Sequence, residues 1–241
     1  MINPHISVDC VIFGFDGQHL KVLLIERQNI DSSSGEGMDF KLPGDFIDAD
    51  EDLQSAAVRT LSELTGLNNI FLKPFGTFGR PDRISKEKDL RWLRATTGIH
   101  IERVVTSAYY SLIRLDKTKK EHAIKNSAHW FNIEDKPALA FDHDEILEFA
   151  LEVLRKELRF EPIGFELLPS KFTIRQTQLV YEAILGIKLD NRNFRKKLLK
   201  AKYLIELDEK QKGVAHKPAR YYRFDKMIYE RSKTEFLGFN F

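Results

Sequence analysis

The 241 residues carry 38 Lys and Arg against 36 Asp and Glu, and 42% are hydrophobic, which allows one large or two modest domains. No run of about 18 apolar residues occurs, so no membrane-spanning helix is expected, and MINPHISVD lacks a signal-peptide pattern. One cysteine, Cys10, excludes an intramolecular disulfide and any cysteine-based zinc cluster, and it fits a reducing cytoplasm. The net charge of +2 is uneven: residues 171–241 hold 17 Lys and Arg against 8 Asp and Glu, and the rest is acidic. A compact basic C-terminal third on an acidic body points to a nucleic-acid-binding module attached to something else.

Ser7–Phe15 is apolar and β-branched and predicts a strand; Cys10 lies within it as a buried thiol. Asp16-Gly17 is a turn signal, and Leu20–Ile25 returns as the second arm of a hairpin. Residues 30–37 read as a polar loop. Phe40–Leu42 is short and extended, and Pro43 leads into a loop, a helix and a glycine stop over Gly44–Leu67. Asp48 and Asp50 offer N-cap carboxylates, and Glu51 and Asp52 add negative charge at the helix start. Leu53, Ala57, Leu61 and Leu64 form one apolar stripe, and Gly66 suits a left-handed cap. Glu51, Arg59 and Glu63 lie off that stripe.

Asn69–Phe78 predicts a strand. Residues 80–102 read as a long charged excursion with a short helix around Glu87–Leu93. Val104–Leu115 is a strand, Ala123–Phe131 a weaker one, and residues 144–157 an amphipathic helix with Ile146, Ala150, Val153, Leu154 and Leu158 inward. Pro162, Gly164 and Pro169 place a domain boundary near residue 160. Thr173 caps the next helix, which Gly186 stops. Asp190 or Asn191 caps another, with Phe194, Leu198 and Ala201 inward. Tyr203–Leu207 and Arg220–Phe224 are the arms of a hairpin whose polar loop, 208–218, carries Lys210, Lys212, His216 and Lys217.

Two helices followed by a hairpin with a basic tip are the organisation of a winged helix-turn-helix. Arg192, Asn193 and Arg195 are placed to reach base edges; Lys196, Lys197, Lys200, Lys217 and Arg220 are candidate phosphate contacts. His129, His143 and His216 form no metal pattern, and there is no P-loop glycine motif.

The 44–67 stretch resembles the Nudix box. Arg59, Leu61, Glu63, Gly66 and Leu67 match, and so does Glu51, although its gap from Gly44 is one residue too long. Thr60 and Leu64 stand where the family has glutamates that face one side of the helix and hold divalent metal. The expectation is a Nudix fold whose chemistry has lapsed, with no catalytic residue, metal or cofactor. A degenerate Nudix domain followed by a winged helix resembles the Nudix-related transcriptional regulators over nearly the whole chain. RTLSELTGL, ALAFDH, EPIGFELLP and NFRKK carry the resemblance, which looks closer to the arabinose-responsive branch than to the one sensing ADP-ribose. Two departures are Asp45 in place of a second glycine and the long 84–102 excursion.

The resemblance implies an α+β chain in two parts. Residues 1–160 would be a Nudix-like α/β/α sandwich with a mixed sheet, binding an effector and dimerising. Residues 161–241 would be the winged helix on double-stranded operator DNA. It implies a cytoplasmic homodimer sensing a sugar, such as arabinose, or a sugar nucleotide. Candidate lining residues are Asp9, Arg80, Asp82, Tyr109 and Tyr110, at most one tyrosine facing the pocket. A surviving hydrolase of ADP-ribose or a related nucleoside diphosphate derivative, and an adaptor binding RNA or protein, are the alternatives.

Overall fold

The computed structural model describes residues 2–27, 38–116, 118, 119, 121, 123, 126–215 and 217–230, which form two compact units, Met1–Lys156 and Glu157–Phe241. The expected 30–37 loop and His216 lie outside the described residues.

The first unit is a mixed sheet. Its strands are β1 (Ile2–Phe15), β2 (Leu20–Arg27), β3 (Asp39–Lys41), β4 (Gly44–Asp48), β5 (Lys73–Phe78), β6 (Val105–Arg114) and β7 (Ala128–Asn132). The order is β3-β2-β1-β6-β5, with β4 on β1 and β7 on β2. β1 is central: it turns through Asp16-Gly17 into antiparallel β2 and runs parallel to β6 from Ile6↔Val105 to Phe15↔Arg114. Strand alternation assigns the faces. Val8, Cys10 and Ile12 join Ala56, Ala57 and Leu61 of helix α1 (Leu53–Thr65) in one core. Tyr109 faces that core. Tyr110 points the other way and meets Phe75, which meets Phe149 of α3 (His143–Phe160). Helices therefore cover both faces.

Several expected boundaries move. β1 starts at Ile2, and the start of the Nudix-like loop is itself a strand, because Gly44–Asp48 pairs with β1. The N-cap of α1 is Asp52, which accepts the Ser55 amide at 2.7 Å; Glu51 is turned to Arg59 and the Asp48 amide. The stripe of α1 is rotated: Leu53 is exposed, while Ala56, Ala57, Thr60, Leu61 and Thr65 are buried. Asn69 takes a left-handed φ of 57°, so β5 begins only at Lys73, and Ser127, at 54°, delays β7 to Ala128. The charged excursion folds as α2 (Glu87–Thr97), stopped by Gly98 at φ 70°.

In the second unit, α4 (Ile174–Leu185) opens with a capping box between Thr173 and Gln176 and ends at Gly186, φ 70°. α5 (Asn191–Leu198) is capped by Asp190, whose carboxylate accepts the Asn193 amide. β8 (Leu204–Lys210) and β9 (Arg220–Phe224) pair antiparallel; β8 runs past Leu207 because a register shift between Glu206 and Lys210 lets pairing resume. Phe165, Phe172, Ile174, Leu198 and Tyr222 form the core of this unit. Two helices and a hairpin are a winged helix.

Candidate functional site

In the Nudix-like helix, Arg59 is the centre of the acidic cluster. Its guanidinium takes Glu51 through Nε at 3.0 Å and Nη2 at 2.5 Å, Glu63 at 3.2 Å and the Phe46 carbonyl at 3.0 Å. Asp45 lies 3.6 Å away. The Glu51 hydrogen bond raises Arg59 well above its ordinary value and lowers Glu51. Thr60 is fully buried, and Leu64 packs against the core. The carboxylates that remain are thus spent on a guanidinium, and the other two positions offer a buried hydroxyl and an alkyl chain. A hard divalent cation needs several open oxygen ligands, and this donor set does not fit one. Among the described residues no group of three or more His, Cys, Asp or Glu could hold a metal.

On the opposite face of the sheet lies a cavity of about 160 Å³. Ser7 and Asp9 of β1, Lys41, Gly44, Asp45 and Phe46, Arg83, Trp92 of α2, and Phe141 and His143 are among its lining. Gly44 makes the close packing possible: a Cβ there would stand 2.0 Å from Asp9 Oδ1 and 2.9 Å from the Val8 carbonyl. Gly44→Ala should therefore displace Asp9 and destabilise the fold by about 1–3 kcal/mol. Chemical denaturation measures this, and an unchanged midpoint would refute it.

Asp9 is the hub. Arg83 Nη2 lies 3.5 Å from Oδ2 and His143 Nε2 3.4 Å from Oδ1. Burial alone would raise the Asp9 carboxyl, but the Nε2–H of His143 that faces it, the Arg83 guanidinium and Lys41 outweigh it and hold it below the usual carboxylate range. Arg83 also makes a two-pronged contact with Asp142, both at 2.9 Å. The Leu42 amide donates to His143 Nδ1 at 2.9 Å, which assigns the ring proton to Nε2 and the ring to its neutral form. Burial likewise pushes His143 down, against the pull of Asp9. Lys41 is buried and lowered by burial, opposed by Asp9 and Asp45, and donates to the Gly44 carbonyl at 2.6 Å.

A second buried ion pair seats α2 on the sheet. Arg27 donates to Asp89 at 2.6 Å and also bonds Asp39, with its guanidinium 5.4 Å over Trp92 and 5.3 Å over Phe141. The excursion is thus a wall of the cavity.

Of the residues expected to line a pocket, Asp9 lines this cavity. Arg80 and Asp82 are exposed and pair with each other, Arg80 also with Glu145. Tyr109 and Tyr110 are buried on opposite faces and are not in its lining. Lys41, Arg83, Trp92, Phe141 and His143 were not expected. A signal existed for Lys41, a cation set between Phe40 and Leu42.

On α5 and the turn after it, Arg192, Asn193, Arg195, Lys196, Lys197 and Lys200 are all exposed, while Leu198 anchors the inner face. Lys217 is exposed on the hairpin. Arg220 is ion-paired with Glu206, which also lies 3.3 Å from the Tyr222 hydroxyl.

A NUDIX domain profile matches residues 3–150, and a profile described as the NrtR DNA-binding winged helix domain matches residues 164–224. An ADPR responsive transcriptional repressor, NtrR, from Acinetobacter baylyi is 30% identical over 95% of this chain and 85% of its own. An ADP-ribose pyrophosphatase from Methanocaldococcus jannaschii is 28% identical over 61% of this chain and 73% of its own. The crystal structure of Shewanella oneidensis NrtR complexed with a 27mer DNA is similar at a TM-score of 0.66 and 27% identity, covering 91% of this chain and 93% of that one. None of these three is described as arabinose-responsive.

Proposed function

Because the chain belongs to the NrtR family of Nudix-related transcriptional regulators, with a NUDIX domain and a C-terminal DNA-binding winged helix, we propose that it is a repressor whose Nudix unit senses ADP-ribose. The observation that carries a sensor over a hydrolase is the commitment of Glu51 and Glu63 to Arg59, with Thr60 buried. ADP-ribose is the effector of the Acinetobacter baylyi repressor, which is similar over 95% of the chain. In this reading residues 161–241 read operator DNA through α5 and the wing, and the protein acts as a cytoplasmic homodimer on paired half-sites. Effector binding shifts DNA affinity only through a difference in effector affinity between the DNA-bound and free forms.

A second effector class is favoured by the cavity itself. With His143 neutral, Lys41 and Arg83 are balanced by Asp9 and Asp45, so the lining carries no formal surplus of positive charge for a diphosphate. Carboxylates and an aromatic wall suit the hydroxyls and face of a neutral pentose such as arabinose.

The test is selection of genomic fragments by the purified protein at about physiological salt, followed by release with ADP-ribose or with free pentoses. Enrichment of a few paired sites supports the regulator, and the releasing compound decides the effector. No preference over random DNA would overturn the reading. With magnesium or manganese, ADP-ribose should not be turned over, and Glu63→Ala should leave that result unchanged. Turnover abolished by Glu63→Ala would restore the hydrolase.

A further inference from the structure

The turn into α5 is held by two buried polar side chains of α4. Gln178 and Glu182 sit one helical turn apart and are 2% and 7% exposed. Gln178 Nε2 donates to Glu182 Oε1 at 2.9 Å and to the Leu189 carbonyl at 2.8 Å. The Leu189 amide donates to the same Glu182 oxygen at 3.0 Å. Both backbone groups of Leu189 are therefore captured, and the next residue, Asp190, is the N-cap of α5. Glu182 Oε2 makes no hydrogen bond; Arg175 Nη1 at 3.8 Å and Lys188 Nζ at 3.7 Å balance its charge.

We propose that Gln178 and Glu182 are positioning residues for DNA recognition, which fix where α5 begins and so where Arg192 and Asn193 point. The proposal rests on α5 being the helix that reads DNA. Apolar side chains would fill the same space, and a buried polar pair is stable only when its partners are in place. What the pair adds is one allowed position for the Leu189 backbone. Phosphate contacts from flexible lysines tolerate a small shift of the helix, whereas contacts to base edges do not. Loss of the clamp should therefore lower discrimination more than attachment.

The experiment uses the full chain with two duplexes, one recovered by selection from a randomised library and one of scrambled sequence. Gln178→Met should lower affinity for the selected duplex about tenfold, leaving the scrambled duplex and the salt slope unchanged. Glu182→Gln keeps an oxygen for the Leu189 amide and should stay within about twofold of the parent. The proposal is overturned if Gln178→Met keeps its discrimination, if Glu182→Gln loses as much, or if both duplexes weaken together. Should Gln178→Met fold poorly, hydrogen exchange at the Leu189 amide decides: protection in the parent and loss in Glu182→Ala are expected, and rapid exchange in the parent refutes the clamp. Asn193→Ala separates this idea from the reading beneath it. If Asn193→Ala and Arg192→Ala leave both affinities intact, α5 does not read DNA; if they lose selectivity and Gln178→Met does not, only the clamp fails.

Discussion

Arg83→Met should destabilise the Nudix unit by about 3–5 kcal/mol, the scale for removing one partner of a buried charge cluster. The Arg83 side chain is 3% exposed, between Asp9 and Asp142 at 7% each. Methionine fills most of the space and supplies no donor, so two buried carboxylates face each other without their shared cation. Asp9 is depressed in the folded state, so the stability it contributes is present above the unfolded value of about 3.8 and is lost as pH falls through its lower folded value. The gap between parent and variant should be widest near neutrality and narrow once the pH drops below that range. Urea denaturation across the acidic range measures both. A gap that does not change with pH would show that Arg83 acts by packing rather than by holding Asp9 ionised. Because both residues line the cavity, the variant should also lose effector-induced release from DNA.

The second large effect is on DNA. Replacing Lys196, Lys197 and Lys200 together by alanine should weaken binding to every duplex and flatten the dependence of log affinity on log salt by about three contacts' worth, at roughly 0.9 each. Arg192→Ala or Asn193→Ala should instead cost about 1–3 kcal/mol at particular base positions with little change in slope. Arg220→Ala should do less than any of these, since Glu206 already neutralises that guanidinium. Equilibrium titrations at several salt concentrations separate the classes. An unaltered slope in the triple variant would remove α5 from the phosphate contacts.

Local signals were readable in the chain. Gly66 and Gly186 stop their helices at φ 70°, and Thr173 caps α4, because each depends on neighbours within a turn. Apart from β4, most of the strand–helix order followed from periodicity and turn signals, and the winged helix from two capped helices, a hairpin and the concentration of Lys and Arg around them. The cavity did not, because no short window contains it: Ser7, Lys41, Arg83, Trp92 and His143 meet only after the sheet is assembled. The spacing of Leu53, Ala57, Leu61 and Leu64 put the stripe of α1 slightly off, since Ala56, Thr60 and Thr65 are small enough to pack closest to the sheet. Arg80 and Asp82 looked like pocket residues by charge, yet the turn before α2 sends Arg83 inward and leaves those two in solvent.

The central place of β1 has a consequence for how the chain is made. Its parallel partner, Val105–Arg114, lies about a hundred residues downstream, so the sheet cannot close while only the hairpin and α1 have been synthesised. Until then Cys10–Phe13, an apolar run fully buried in the finished protein, has a free edge. Loop closure over such a distance is slow compared with hairpin formation. The nascent chain should therefore depend on chaperone protection until β6 emerges, and substitutions that weaken the β1–β6 ladder should lower yield before they lower the stability of folded protein.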